Sequence, residues 1–157
     1  MSVFQDIRGA LTVQANTAAG LPGDKAYEGV PYTPVVGTAY VAYALVPTAE
    51  RPRTLGQYGD TIRQGLFQAS LFFPSGSGTG LAESAADAVR AKFPPGQVVT
   101  QNETVVRVRY AERAPAQAHP DWVMVPVTVA WTTRTSTTPL LRIAFNHPRG
   151  SQYLGAL

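Results

Sequence analysis

A chain of 157 residues with 45% hydrophobic and 15% charged residues has the size and balance of one folded domain, not of a disordered tail. The absence of cysteine excludes disulfides, thiolate metal sites and cysteine nucleophiles, so packing alone has to hold the fold. No run approaches the ~20 apolar residues of a membrane span, and Met1 to Asp6 lacks the basic lead of a secretory signal; with a net charge of +3 the expectation is a soluble protein, kept in the cytoplasm where it is made, with no membrane partner.

Ser2 followed by Gln5 forms a capping-box pattern, and Asp6 suits the positive end of a helix dipole. Phe4, Ile7 and Leu11 recur at helical spacing, which predicts a first helix from about Val3 to Ala18, ended by Gly20, Pro22 and Gly23. The following Tyr27-Glu28-Gly29-Val30-Pro31-Tyr32-Thr33-Pro34 holds too many prolines for a central strand and reads as an extended surface segment. From Thr38 to Val46 the pattern alternates, with Val41, Tyr43 and Leu45 opposite Tyr40, Ala42 and Ala44, and Pro47 is expected to close this strand. Ala49 to Gly59, with Arg51 and Arg53, then reads as a long basic loop.

A second strand is expected from Thr61 to Phe73, with Phe67, Ala69, Leu71 and Phe73 on one side; Gly65 inside it signals a bulge or a close backbone approach. The linker Ser75-Gly76-Ser77-Gly78-Thr79-Gly80 leads into a short helix capped by Thr79, with Leu81, Ala85, Ala88 and Val89 on its packing face and Phe93 plugging its end. Val98 and Val99 mark a short strand or turn. In the next strand Val106, Val108 and Tyr110 alternate with Val105, Arg107 and Arg109, giving a basic outer face. The last strand, Trp122 to Thr132, buries Val123, Val125, Val127, Val129 and Trp131, and Pro126 places it at an edge or a bulge. The sum is an α+β domain: a mostly antiparallel sheet of about four strands with two helices on one face, continued by a C-terminal arm, residues 133–157, whose Leu140, Leu141, Ile143 and Phe145 need a partner.

Chemistry is sparse. The Gly/Ser linker lacks the Lys-Ser/Thr of a phosphate-binding loop and the third glycine of a dinucleotide fingerprint. His119 and Asp121 stand beside each other without a third partner, His147 stands alone, and the ten acids form no visible acid/base pair. No catalytic residue, metal ligand or cofactor is expected. The candidate contact residues are Tyr27, Tyr32, Arg51, Arg53, Arg107, Arg109, Arg142 and Phe145, because tyrosine and arginine anchor interfaces and because no acidic residue follows Asp121. A solvated strand face explains Arg107 and Arg109 equally well.

In their order and spacing, several of these features resemble the tail terminator family of long-tailed, non-contractile bacteriophages. They are the short first helix, the segment from Tyr27 to Pro34 leading into Tyr40-Val41, Leu55-Gly56 before a strand with Gly65, Phe73-Pro74, the Gly-rich link, Leu81 to Phe93 ending in Pro95-Gly96, and the strand Pro126-Val127-Thr128-Val129. The resemblance spans residues 1–132 and leaves the arm outside it. It implies a structural subunit, not an enzyme, that forms a six-fold homo-oligomeric ring on the tail tube. The ring stops tube polymerisation, offers a surface to a head-completion or neck protein, and lets genomic DNA pass through it. The implied location is the head-proximal end of the tail in the virion, with the host cytoplasm as the place of assembly. Two alternatives stand beside it: a head-tail connector or neck protein of related fold, and a small basic nucleic-acid-binding module using Arg107, Arg109 and the cationic tail.

Overall fold

The computed structural model describes residues 2–56 and 59–136. The elements follow in the order α1 (Val3–Asn16), β1 (Asp24–Ala26), β2 (Tyr40–Pro52), β3 (Asp60–Pro74), α2 (Gly80–Ala91), β4 (Val98–Gln101), β5 (Thr104–Arg113), β6 (Gln117–Ala118) and β7 (Trp122–Ser136). They make one sheet in the order β1-β2-β3-β7-β5-β4, with β6 added to β7. All pairs are antiparallel except β1 with β2. The fold is α+β, as expected, but the sheet is mixed and larger than about four strands. The extra strands β1 and β6 are three and two residues long. They are too short to show a period of two, and their neighbours recruit them through main-chain bonds.

Both helices contribute to one core with a single sheet face. Ile7 and Leu11 of α1, and Ala82, Ala85 and Val89 of α2, join Val41, Phe67, Leu71, Val106, Val108, Val125, Val127 and Trp131. Helix α1 opens with Gln5 Oε1 accepting from the Ser2 N–H at 3.2 Å, the reverse half of the expected box. Asp6 is the acidic residue of the first turn, as expected, and it also has a second role. It is 6% exposed and turns inward, accepting from Asn102 Nδ2 at 2.6 Å and from Thr104 Oγ1 at 3.3 Å. It thereby fastens α1 to the β4–β5 turn, where Asn102 takes a positive φ of 52°. Helix α2 buries Ala82, Ala85, Ala86 and Val89, while Leu81 is 68% exposed and outside the packing face to which its spacing assigned it. Phe93 is buried after the helix, as expected.

Two prolines behave differently from expectation, each for a main-chain reason. Pro47 does not end β2, which runs on through a bulge between Pro47 and Ala49 to Pro52. In an antiparallel strand the N–H and C=O of one residue point to the same side, and successive residues alternate. Leu45 N–H points away from β3 and is bonded to Glu28 Oε2 at 3.1 Å, so Pro47, two residues on, also faces away. Arg53 N–H points to Asp60 O at 2.7 Å, so Pro52 again faces out. Both prolines lack only a donor that β3 does not need, and both blunt the outer edge of β2 against stray pairing. Residues 49–52, expected in a loop, are therefore strand.

Pro126 sits in the middle of the sheet, not at an edge: β7 lies between β3 and β5. Its carbonyl accepts from Ala114 N–H at 3.0 Å, just past the end of β5 at Arg113 and before β6 begins at Gln117. The missing N–H falls in the gap between those two strands. The buried row from Val123 to Trp131 is as expected, and β7 continues to Ser136.

Gly65 realises its predicted close approach. A Cβ there would lie 2.5 Å from Trp131 Cζ2 and 2.6 Å from the Val46 carbonyl oxygen. Beyond Thr133, where the pairing with β5 ends, β2, β3 and β7 continue together as a three-stranded tongue.

Candidate interaction surface

Both helices pack on one face of the sheet, and among the described residues no helix lies on the other. The registers place Val46, Leu66, Ala130 and Tyr110 in one row across β2, β3, β7 and β5 on this outer face. Val46 and Tyr110 are nearly half exposed. The next row toward the tongue holds Ala49, Gln64, Thr132, Arg107 and Val98, and the one beyond it Arg51, Ile62 and Arg134.

Tyr110 reaches this face through a bulge between Val108 and Tyr110. One inserted residue reverses the alternation, so Tyr110 leaves the buried set with Val106 and Val108 and joins Arg107. The sequence pattern placed it on the wrong side. Arg107 and Arg109 are exposed, as their outer-face reading required.

The structure places the remaining candidates in two regions. Tyr27 stacks on Tyr43 with ring centroids 5.9 Å apart on the edge of the core. Tyr43 donates to Asn16 Oδ1 at 2.8 Å, and burial raises its hydroxyl above the ordinary range, with neighbouring Tyr27 adding to the shift. Tyr32 belongs to the outer face: its ring lies 5.1 Å from Tyr40, which stacks on Phe72 at 4.5 Å and meets Trp122 edge-on at 5.2 Å. Loss of water and the Asp24 carboxylate, 3.4 Å away, both raise the Tyr32 hydroxyl. Tyr40 clusters with Tyr27 and Tyr32 already in the sequence, whereas Phe72 and Trp122 were not among the sequence candidates, because each lies in a strand and only the register brings the three rings together.

At the opposite end, Arg51 and Arg53 border a concave patch of about 320 Å³ lined also by Ala49, Pro52, Ile62 and Gln64. Neither guanidinium makes an ion pair within the described residues, and the same is true of Arg107 and Arg109. The other arginines nearby are engaged. Arg63 pairs with Glu50 at 2.7 Å and lies over the Phe4 ring, and Arg134 Nε donates to Asp60 Oδ2 at 2.8 Å. The Arg134 hydrogen bond holds the Asp60 carboxyl below the usual range, helped by Ser136. Arg142 and Phe145 lie outside the described residues.

Among the described residues no cluster of His, Asp or Glu could hold a metal. What the surface offers is contact: an aromatic end, an apolar middle row and a basic tongue, none of it covered by the chain's own helices.

The sequence model of the phage tail terminator protein family matches residues 6–131. The chain belongs to that family. A phage tail terminator protein is a structural protein of the virion, and the matched segment runs from α1 to Trp131, the residue that packs on Gly65. One solved chain matches with a TM-score of 0.63 at 22% identity, over 83% of this chain and 92% of that one. A chain from the virion of a native gene transfer agent particle matches with a TM-score of 0.52 at 18% identity, over 86% and 98%. At these identities the likeness is one of fold. No curated protein matches this chain.

Proposed function

We propose that this chain assembles as a homo-oligomeric ring, six-fold in the family's manner, on the finished tail tube, where it stops polymerisation and presents a surface to a head-completion or neck protein. The family match over residues 6–131 carries this reading. The outer face, on which no helix of the described residues packs, supports it, because a subunit that acts by docking needs surface that its own helices leave free. The mechanism is steric: each subunit covers part of the growing tube end, and ring closure removes the site at which the next tube ring would dock. A closed ring is built from a heterologous contact, so two different patches of one subunit have to be complementary.

In this reading Tyr27 and Tyr32, with the aromatic end of the outer face, contact a neighbouring subunit or the tube. Arg107 and Arg109 face the passage through which genomic DNA travels. Arg142, Phe145 and the rest of residues 137–157 reach an adjacent subunit or ring. The test is to add the purified protein to tail tubes and image the ends by electron microscopy. Capped ends support the reading, and bare ends on tubes that keep growing reject it.

That Arg107 and Arg109 make no ion pair within the described residues favours one further reading, a nucleic-acid-binding module. Its mark is tight DNA retention that falls steeply with salt, in a protein that leaves tube ends bare.

A further inference from the structure

The segment that joins β1 to β2, residues 27–39, is tied to its own fold by polar and aromatic side chains and presents its valines to the outside. Tyr27 stacks on Tyr43, the Glu28 carboxylate accepts from Leu45 N–H at 3.1 Å and pairs with Arg8 at 3.0 Å, and the Tyr32 ring rests 5.1 Å from Tyr40. Two main-chain turns set the shape of the loop. Val30 N–H donates to the Tyr27 carbonyl and Thr38 N–H to the Val35 carbonyl, both at 3.1 Å, with Gly29 and Gly37 at positive φ in the third place of each turn. Pro31 and Pro34 stiffen the stretch between them. Yet Val30 and Val35 are 59% exposed and Val36 is 71% exposed. The one charged residue between Tyr27 and Tyr40 is Glu28, and Arg8 matches it. A neutral apolar loop already held in shape gives up little freedom when a partner covers it.

The opposite edge of the sheet carries a second apolar strip. β4 is the last strand on that side, and its residues, Val98-Val99-Thr100-Gln101, include no charge of the kind that guards an exposed edge strand. Val98 lies opposite Arg107 and Thr100 opposite Val105, so Val98 and Val105 are diagonal neighbours on the outer face, and Tyr110 continues the strip along β5. Val98 is 41% exposed, and Val105 and Tyr110 are each 45% exposed.

Within one molecule the sheet keeps the two apart. Four strand spacings, about 19 Å, separate β2 from β4, and the loop lies beyond β2 on the side of β1. Their level along the strands is nevertheless shared. Glu28 is held at Leu45, one residue from Val46, and Val46 stands in the same row as Tyr110. Two matched patches at one level on opposite edges meet between neighbouring copies, and a lateral head-to-tail contact of that kind repeats from copy to copy until it closes.

We propose that the Val30–Val36 stretch of one copy seats on the Val98–Val105–Tyr110 strip of the next, and that this lateral contact closes the ring. The occupant is a second copy of this chain. The inference rests on the ring reading above and names its two surfaces, with Tyr27 and Tyr32 holding the loop in place. The stem of Arg107, between Val105 and Tyr110, adds to the covered strip while its guanidinium reaches past the loop to the passage. Three valines make a small patch against the roughly 800 Å² per partner of a stable interface, so copies pair where a tube end holds them side by side. The contact accounts for two features that the isolated subunit leaves unexplained: valines turned outward from a loop whose other side chains are anchored, and an edge strand without a guarding charge.

The cysteine-free chain allows a direct test. Thr33→Cys and Thr100→Cys place one exposed thiol beside each patch. The double variant, mixed with tail tubes and also concentrated alone, is treated with a short bismaleimide and resolved on a denaturing gel. A ladder extending beyond dimers, absent from either single variant, is the expected result. Val30→Asp with Val36→Asp in that background should cut the ladder at least tenfold, and so should Val98→Asp with Val105→Asp. Val13→Asp, which charges a valine 64% exposed on α1, should leave it unchanged. Circular dichroism shows which variants are folded, and the loop pair decides the matter if the strand pair misfolds. A ladder that survives the loop pair, or capped tube ends without any ladder, overturns this contact and leaves the ring reading standing. A ladder without capped ends overturns the ring's place on the tube and leaves the contact standing; neither ladder nor caps rejects both. Benzophenone maleimide on Thr33→Cys alone reports whichever neighbour the loop touches: labelling of a second copy is expected, and labelling of tube protein in its place means that the loop docks on the tube and the inference is wrong.

Discussion

Gly65 lies under the Trp131 ring so closely that a β-carbon at that position would sit 2.5 Å from Cζ2. The pair is in register across β3 and β7, with Val108 on the far side of the tryptophan. Gly65→Val is expected to destabilise the fold by roughly 1–3 kcal/mol through overpacking, read as a lower urea midpoint. A midpoint unchanged from wild type would show that the ring can move aside at no cost.

The buried Asp6 carboxylate ties the first helix to a turn 96 residues later through Asn102. Asp6→Ala leaves the buried Thr104 hydroxyl without its acceptor and removes the Asn102 tie, and should cost about 1–3 kcal/mol. Amide hydrogen exchange should show the loss concentrated in α1, β4 and β5. Uniform loss across the sheet would contradict the local role assigned to this carboxylate.

The bulge after Val108 gives a paired test. Val108→Ser removes a side chain that is 1% exposed, whereas Tyr110→Ser alters one that is 45% exposed on the outer face. The first should lower stability by about 2 kcal/mol or more, and the second by about 0.5 kcal/mol or less. Simple alternation, with both residues in the core, predicts large losses for both.

Asp60 supplies the pH dependence. Its carboxyl is held below the ordinary value by Arg134, so the folded state binds the proton less readily than the unfolded chain. Stability from this pair is fully present above the unfolded carboxylate value of about 3.9 and is lost as pH falls through the lower folded value. Wild type should therefore lose its advantage over Asp60→Asn as the pH drops below about 4, measured by thermal melts across that range. An advantage that stays constant down to pH 2 would remove the ion pair from the account.

How much of this was legible in the residues depends on run length. The rows Phe67 to Phe73 and Val123 to Trp131 carry a period of two long enough to fix strand, face and burial together. Gly65 announced a close approach, although not its partner. Short strands such as Asp24–Ala26 have no period to read and exist because β2 offers them an edge. Pro47 and Pro126 misled for a shared reason: which way a missing N–H points is set by the register of the neighbouring strands, which residue type alone does not carry. The same holds for the interaction surface. Arg51, Arg53, Arg107 and Arg109 could be picked out by type, but their lack of ion pairs within the described residues, the stacking of Tyr40 with Phe72 and Trp122, and the exposure of Leu81 appear only once the strands are paired.

The central claim, that the protein caps a tail tube, is tested most directly by tube length. Tube protein polymerised with increasing amounts of this chain, and measured by electron microscopy, should give progressively shorter tubes whose ends carry extra density. Length distributions that stay the same at every ratio, with ends indistinguishable from those of tubes grown alone, would contradict it.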